Sequence, residues 1–185
     1  MIDRPGYGTG ARRAARLAAA LIAAGSLWAA GTARAEEGWG ALDSLVGAWT
    51  GEGQGQPGTG SGDFTFQREL SGKVLVRRSQ ADYPAAQGRP AVHHEDLIVV
   101  YQDQAGAFPR AVYFDSEGHV IRYAVRASAA GDTLEFLSEP DSAAPAYRLR
   151  YVRTGPGLMR ITFDIAPPGK PGEFRQYLQG ACRRR

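Results

Sequence analysis

All three histidines of the 185-residue chain fall between positions 93 and 119, and acids stand among them: Asp96, Asp115 and Glu117. Imidazole next to carboxylate can accept or donate a hydrogen bond to a ligand, hold a metal ion, or move a proton. The segments 94–102 and 110–116 have the alternating pattern of strands joined by a short link. Paired as a hairpin, residues that face each other have numbers summing to about 212, which sets His94 opposite about 118 and Asp96 opposite about 116. His94, Asp96, Asp115, Glu117 and His119 then gather at one end of the sheet, with Asp82 and Tyr83 reaching the same rim.

Three uses are open to this cluster. It can be a solvated polar rim in which Asp115 caps the Ser116-Glu117-Gly118 turn. It can recognise a ligand, with His119 pointing inward beside Ile121, Tyr123 and Val125. It can also be a metal or acid–base site, although His93 and His94, adjacent on a strand, face opposite ways. The chain has no nucleophile elbow, no H-E-x-x-H and no Cys/His pair, so no residue is assigned as catalytic or as a metal ligand.

The elements that must position these groups are strands throughout. Runs rich in Val, Ile, Tyr, Phe and Thr predict strands at 46–54, 62–70, 73–83, 94–102, 110–116, 119–128, 132–138, 145–153, 157–165 and about 179–184. Turn residues such as Ser71-Gly72, Ala130-Gly131-Asp132 and Gly155-Pro156-Gly157 separate them. Short links imply an antiparallel meander, and this many strands in one domain imply a closed barrel or a sandwich, of which the barrel removes exposed edges. Residues 84–93 form a longer loop over one end. The stiff connection APPGKPG at 166–172 leads to Phe174, Tyr177 and Leu178, where one helical turn is expected.

The run GAWTGEGQGQPGTGSG at 47–62 contains the spacing Gly53-x-Gly55-x-x-Gly58 of a dinucleotide fingerprint. That fingerprint needs a helix to present its amides to a pyrophosphate. Here Asp63-Phe64-Thr65-Phe66 follows, another strand, so the phosphate reading is excluded by context. A period of two instead puts Gly47, Trp49, Gly51, Gly53 and Gly55 on one face, with open volume beside a large ring.

Arg12, Arg13 and Arg16 precede the apolar stretch 17–31, and Ala33-Arg34-Ala35 fits a signal-peptidase site. The expected organisation is therefore a signal peptide at 1–35 and one domain at 36–185, periplasmic or secreted, without membrane insertion after cleavage. Residues 1–35 hold five of the 22 basic residues and one of the 19 acids, leaving 17 basic against 18 acidic in 36–185. The basic character of the full chain is thus no sign of nucleic-acid binding. Cys182 is the only cysteine, so no intrachain disulfide forms.

Leu45-Val46-Gly47-Ala48-Trp49-Thr50-Gly51-Glu52-Gly53 resembles the G-x-W opening strand of calycin barrels, the lipocalin, fatty-acid-binding and nitrobindin-like group. It is most similar to bacterial lipocalin-like domains of unknown function. The resemblance implies an all-β fold, an antiparallel meander closed into a lipocalin-like β-barrel of about 8–10 strands. It also implies a basic residue of the last strand, Arg183 or Arg184, across the Trp49 ring. Nitrobindin-like proteins bind haem through a histidine near their C-terminal strands. No histidine follows His119, so that ligand does not carry over and the cofactor is unknown. The expected function is binding of a small, largely apolar molecule without chemistry, the interior lined by Trp49, Phe64, Phe66, Tyr123, Phe136 and Phe163, with His94 and His119 at the mouth. The alternatives are an enzyme using the His119/His94/acid rim and a structural or interaction role in the cell envelope.

Overall fold

The computed structural model describes residues 39–185 apart from 57, 87 and 105–107; the expected signal segment lies outside the described residues. A 3-10 helix at Gly40–Leu45 precedes ten strands: β1 Gly47–Gly55, β2 Gly60–Glu69, β3 Val74–Tyr83, β4 Val92–Tyr101, β5 Arg110–Asp115, β6 Val120–Ala127, β7 Thr133–Ser138, β8 Ala146–Gly155, β9 Leu158–Ala166 and β10 Arg175–Arg184. Each pairs antiparallel with its neighbours in sequence, and β1 also pairs with β10, closing the barrel. The all-β closed meander is the one the alternation implies.

Alternation decides which face turns inward. In β6, Ile121, Tyr123 and Val125 are buried while Arg122 and Arg126 are exposed. In β8, Leu149 and Tyr151 are buried among Arg148, Arg150 and Arg153. Two expectations shift. The segment around Phe174, Tyr177 and Leu178 forms no helical turn: Phe174 precedes β10, and Tyr177 and Leu178 lie within it. Pairing with β9 extends through a bulge between Gln176 and Leu178, and those sheet hydrogen bonds outweigh any local helical tendency. The register of β4 on β5 differs by one residue from the expected sum, pairing Asp96 with Asp115 and Ile98 with Tyr113.

The two ends of the barrel differ. At one end the 3-10 helix acts as a plug: Leu42 and Leu45 are buried, and Trp39 Nε1 donates to the Gly72 carbonyl at 3.0 Å. Trp49 donates to the Leu45 carbonyl at 2.8 Å and stacks on Phe64 with ring centroids 6.1 Å apart. Arg184 is the residue that crosses its ring, with the guanidinium carbon 4.4 Å from the centroid. The same guanidinium donates to the carbonyls of Ser44, at 2.7 Å, and of Val46. Gly47 has φ of +127°, so the backbone angle favours glycine, and a Cβ there would displace the Arg184 guanidinium, whose Nη1 would lie 2.6 Å away. Above this plug Phe66, Leu75, Ile98, Val100, Phe136 and Tyr151 fill the interior.

Candidate functional site

Beyond the Phe64 layer the interior is open. A cavity of about 560 Å³ occupies the end of the barrel that gathers the β1–β2, β3–β4, β5–β6 and β9–β10 connections. Its wall on β1 is formed by Gly51 and Gly53, where the chain offers no side chain to fill the space. Gly51 is held to glycine by the seam as well, since a Cβ would come 2.7 Å from Cys182 Sγ and 2.8 Å from the Ala181 carbonyl.

The cavity is two-sided. The wall from β8, β9 and β10 presents Tyr147, Leu149, Ile161, Phe163, Ile165 and Leu178. Tyr147 and Phe163 stack at 5.9 Å, and Tyr177 meets Phe163 edge-on at 6.1 Å. The wall from β3 to β6 is ionic. There the inward positions of paired strands place Asp96 directly opposite Asp115, two carboxylates that would repel if left alone. Arg77 on β3 pairs with Asp96, and its Nη2 donates to Ser79 Oγ at 2.9 Å. His94 sets Nδ1 2.9 Å from Glu117 and Nε2 3.5 Å from Asp96 and 3.3 Å from Tyr113 Oη. Tyr113 donates to Asp115 at 3.1 Å, and Asp115 also receives the His119 backbone N–H at 2.8 Å and contacts His119 Nδ1 at 2.8 Å. One hydrogen-bonded chain thus runs from the cavity floor to the solvent rim.

This arrangement fixes the charges. The hydrogen bond to Asp96 pushes His94 up to about 9, against the effect of burial and with help from Glu117, so the imidazole is cationic at neutral pH. Burial would raise the Asp96 carboxyl, yet Arg77 and His94 hold it below its ordinary range. Burial of Asp115 is likewise outweighed by the His119 N–H, its side chain and the Tyr113 hydroxyl. Tyr113 is raised, first by burial and then by the two aspartates, so it stays a neutral donor. Cys182, which also lines the cavity, is pushed up to about 11 by burial and is a protonated, unreactive thiol.

Of the eight residues expected to contact a ligand, Phe64, His94, His119, Tyr123 and Phe163 line this cavity. Trp49, Phe66 and Phe136 lie in the packed half instead, because the 3-10 plug fills the end of the barrel that they occupy. Asp96, Asp115 and Glu117 join His94 and His119 around the cavity. His93 faces outward and binds Asp82 at 2.7 Å. Arg77 is the residue sequence reasoning missed. The stretch Val74-Leu75-Val76-Arg77-Arg78 begins apolar on both faces and then places one arginine on each, so alternation alone does not say which is inside.

Fold and site define a class: a closed ten-stranded antiparallel barrel, half packed and half hollow, with an ionic wall facing an aromatic one. No protein-family model matches the chain, and no curated protein matches it. Among solved structures, the chain is similar to that of EF1p2_mFAP2b bound to DFHBI, at 15% identity and a TM-score of 0.39, covering 79% of this chain and 98% of that one. It is also similar to a de novo designed fluorescence-activating β-barrel, at 12% identity and a TM-score of 0.38, with the same coverages.

Proposed function

We propose that residues 36–185 form an exported, calycin-like barrel that binds one small, largely apolar molecule without transforming it. The observation that carries this reading is the 560 Å³ cavity above a packed floor, a size that suits a small-molecule site. The aromatic and aliphatic wall on β8 to β10 supports an apolar body for the ligand. Arg122 and Arg126 on the outer face of β6 suit a barrel surrounded by water rather than lipid. Export rests on the N-terminal pattern of three arginines, an apolar stretch and Ala33-Arg34-Ala35.

Protein purified from its own compartment should carry a co-purifying small molecule in native mass spectrometry. Ligand-stripped protein should bind an apolar fluorescent probe, and Ile165→Trp, which projects bulk into the cavity, should abolish that binding. Stripped protein that takes up no apolar probe would sink the proposal.

A metal-dependent use of the rim is the second reading, because Asp115, Glu117 and His119 offer ligand atoms within 4.8 Å of one another. Elemental analysis separates the two. Stoichiometric zinc or another transition metal in wild-type protein, lost in His119→Ala, would support the metal site; metal-free protein that still binds the probe supports simple binding.

A further inference from the structure

Beside the floor of the cavity stands a hydrogen-bond donor with no partner among the described residues. Arg77 is only 9% exposed and carries five N–H groups. Nη1 serves Asp96 and Nη2 serves Ser79, while Nε is fully buried and presents no surface to the cavity. Tyr123 lines the same cavity at 1% exposure, and its hydroxyl makes no hydrogen bond among the described residues. Unpaired donors of this kind are costly unless something accepts from them. The two buried acids of this wall are engaged as well: Asp96 faces Arg77 and His94, and Asp115 faces Tyr113 and His119.

On the reading of this cavity as a ligand site, we infer that the ligand's inner end is an uncharged acceptor oxygen of the carbonyl type, received by the Tyr123 hydroxyl. Charge decides against the ionised alternatives. Asp96 already neutralises Arg77, and Asp115 and Glu117 stand on the same wall, so an entering carboxylate would be desolvated beside three others. An entering ammonium would stand beside the cationic Arg77 guanidinium, whose Asp96 partner is already engaged. A ketone or amide oxygen accepts from the free Tyr123 hydroxyl and adds no charge. The body of such a molecule then lies against Phe163 and Leu149, while its outer end reaches the His94 and Glu117 rim.

The test uses ligand-stripped 36–185 protein and four probes of one shape: ethylnaphthalene, acetylnaphthalene, naphthoate and naphthylmethylammonium, titrated at neutral pH. Acetylnaphthalene should bind about 10-fold tighter than ethylnaphthalene, the size of one hydrogen bond to a buried donor, with both ions weaker than the ketone. Tyr123→Phe removes only the unpartnered hydroxyl and keeps the ring packing. It should bring the ketone close to the hydrocarbon while leaving ethylnaphthalene affinity unchanged. Naphthoate or the ammonium binding tighter than the ketone overturns the inference, as does an unchanged ketone preference in Tyr123→Phe. Equal binding of hydrocarbon and ketone overturns it too, leaving the apolar-ligand reading in place. Failure of all four probes overturns that reading and this inference together.

Discussion

His94 titrates as part of the wall, and its behaviour gives a signed expectation. Its folded-state pKa, about 9, stands above the ordinary 6.5 because the ring hydrogen-bonds Asp96 and Glu117. A raised imidazole pKa means the folded state holds the proton more tightly than the unfolded chain does. The resulting stabilisation is fully present below about pH 6.5 and is lost as pH rises through about 9. Asp96 and Asp115, held below their ordinary range, act in the opposite direction and lose their contribution as pH falls below that range. Thermal denaturation should therefore show wild-type protein weakening between pH 6.5 and 9 more steeply than His94→Gln, in which the exposed His93, raised by its hydrogen bond to Asp82, still contributes. Parallel profiles for the two proteins would show that the ring is not held as a cation. At the closed end Arg184 combines a cation–π contact with two carbonyl contacts to the plug. Arg184→Ala should cost about 1–2 kcal/mol by urea denaturation and leave probe binding intact, because the residue lies outside the cavity lining.

Between elements, β3 and β4 are joined by more than their ladder, since Arg77 and Asp96 form an ion pair with side chains only 10% and 6% exposed. Removing one partner leaves the other charge buried, so Arg77→Met or Asp96→Asn should each destabilise by about 3–5 kcal/mol. The double variant should recover much of that loss in a double-mutant cycle; additive losses would mean that the two charges do not compensate each other. This pair also marks where sequence reasoning stops. Strands were legible because Ile121-x-Tyr123-x-Val125 and Met159-x-Ile161-x-Phe163 each state a period of two in local terms. The gathering of His94, Asp96, Asp115, Glu117 and His119 was legible too, because an error of one residue in register leaves them at the same end. What alternation does not encode is depth. Trp49, Phe66 and Phe136 share the inward face with Phe163, and only the 3-10 plug decides which of them are packed. The plug itself, GALDSL, is too short to show a period, and the inward Arg77 obeys the strand pattern while breaking the expectation that inward means apolar.

Over the whole molecule the interior divides into a half that supports the fold and a half that leaves space. The packed half joins Phe66, Phe136 and Tyr151 through ring contacts with centroids 5.6 to 5.7 Å apart, under a plug clamped by Trp49 and Arg184. The hollow half has a glycine wall on β1 beside the aromatic wall that starts on the neighbouring β10. Closure of β1 onto β10 serves both halves, and the glycines of β1 answer to close approach at the seam as much as to the cavity. Equal truncations should therefore have unequal effects. Phe136 is fully buried, and Phe136→Ala should cost about 3–5 kcal/mol, the lost transfer of a ring plus the void left behind. Phe163 already borders open space, so Phe163→Ala creates little new void and should cost on the order of 1 kcal/mol. Its larger effect should fall on affinity for the apolar probe, through loss of the Tyr147 and Tyr177 ring contacts that shape the wall. Urea denaturation and probe titration on the same two proteins check the asymmetry. Similar losses of stability in both variants would mean that the hollow half is as essential to the fold as the packed half, and the division proposed for this barrel would fail.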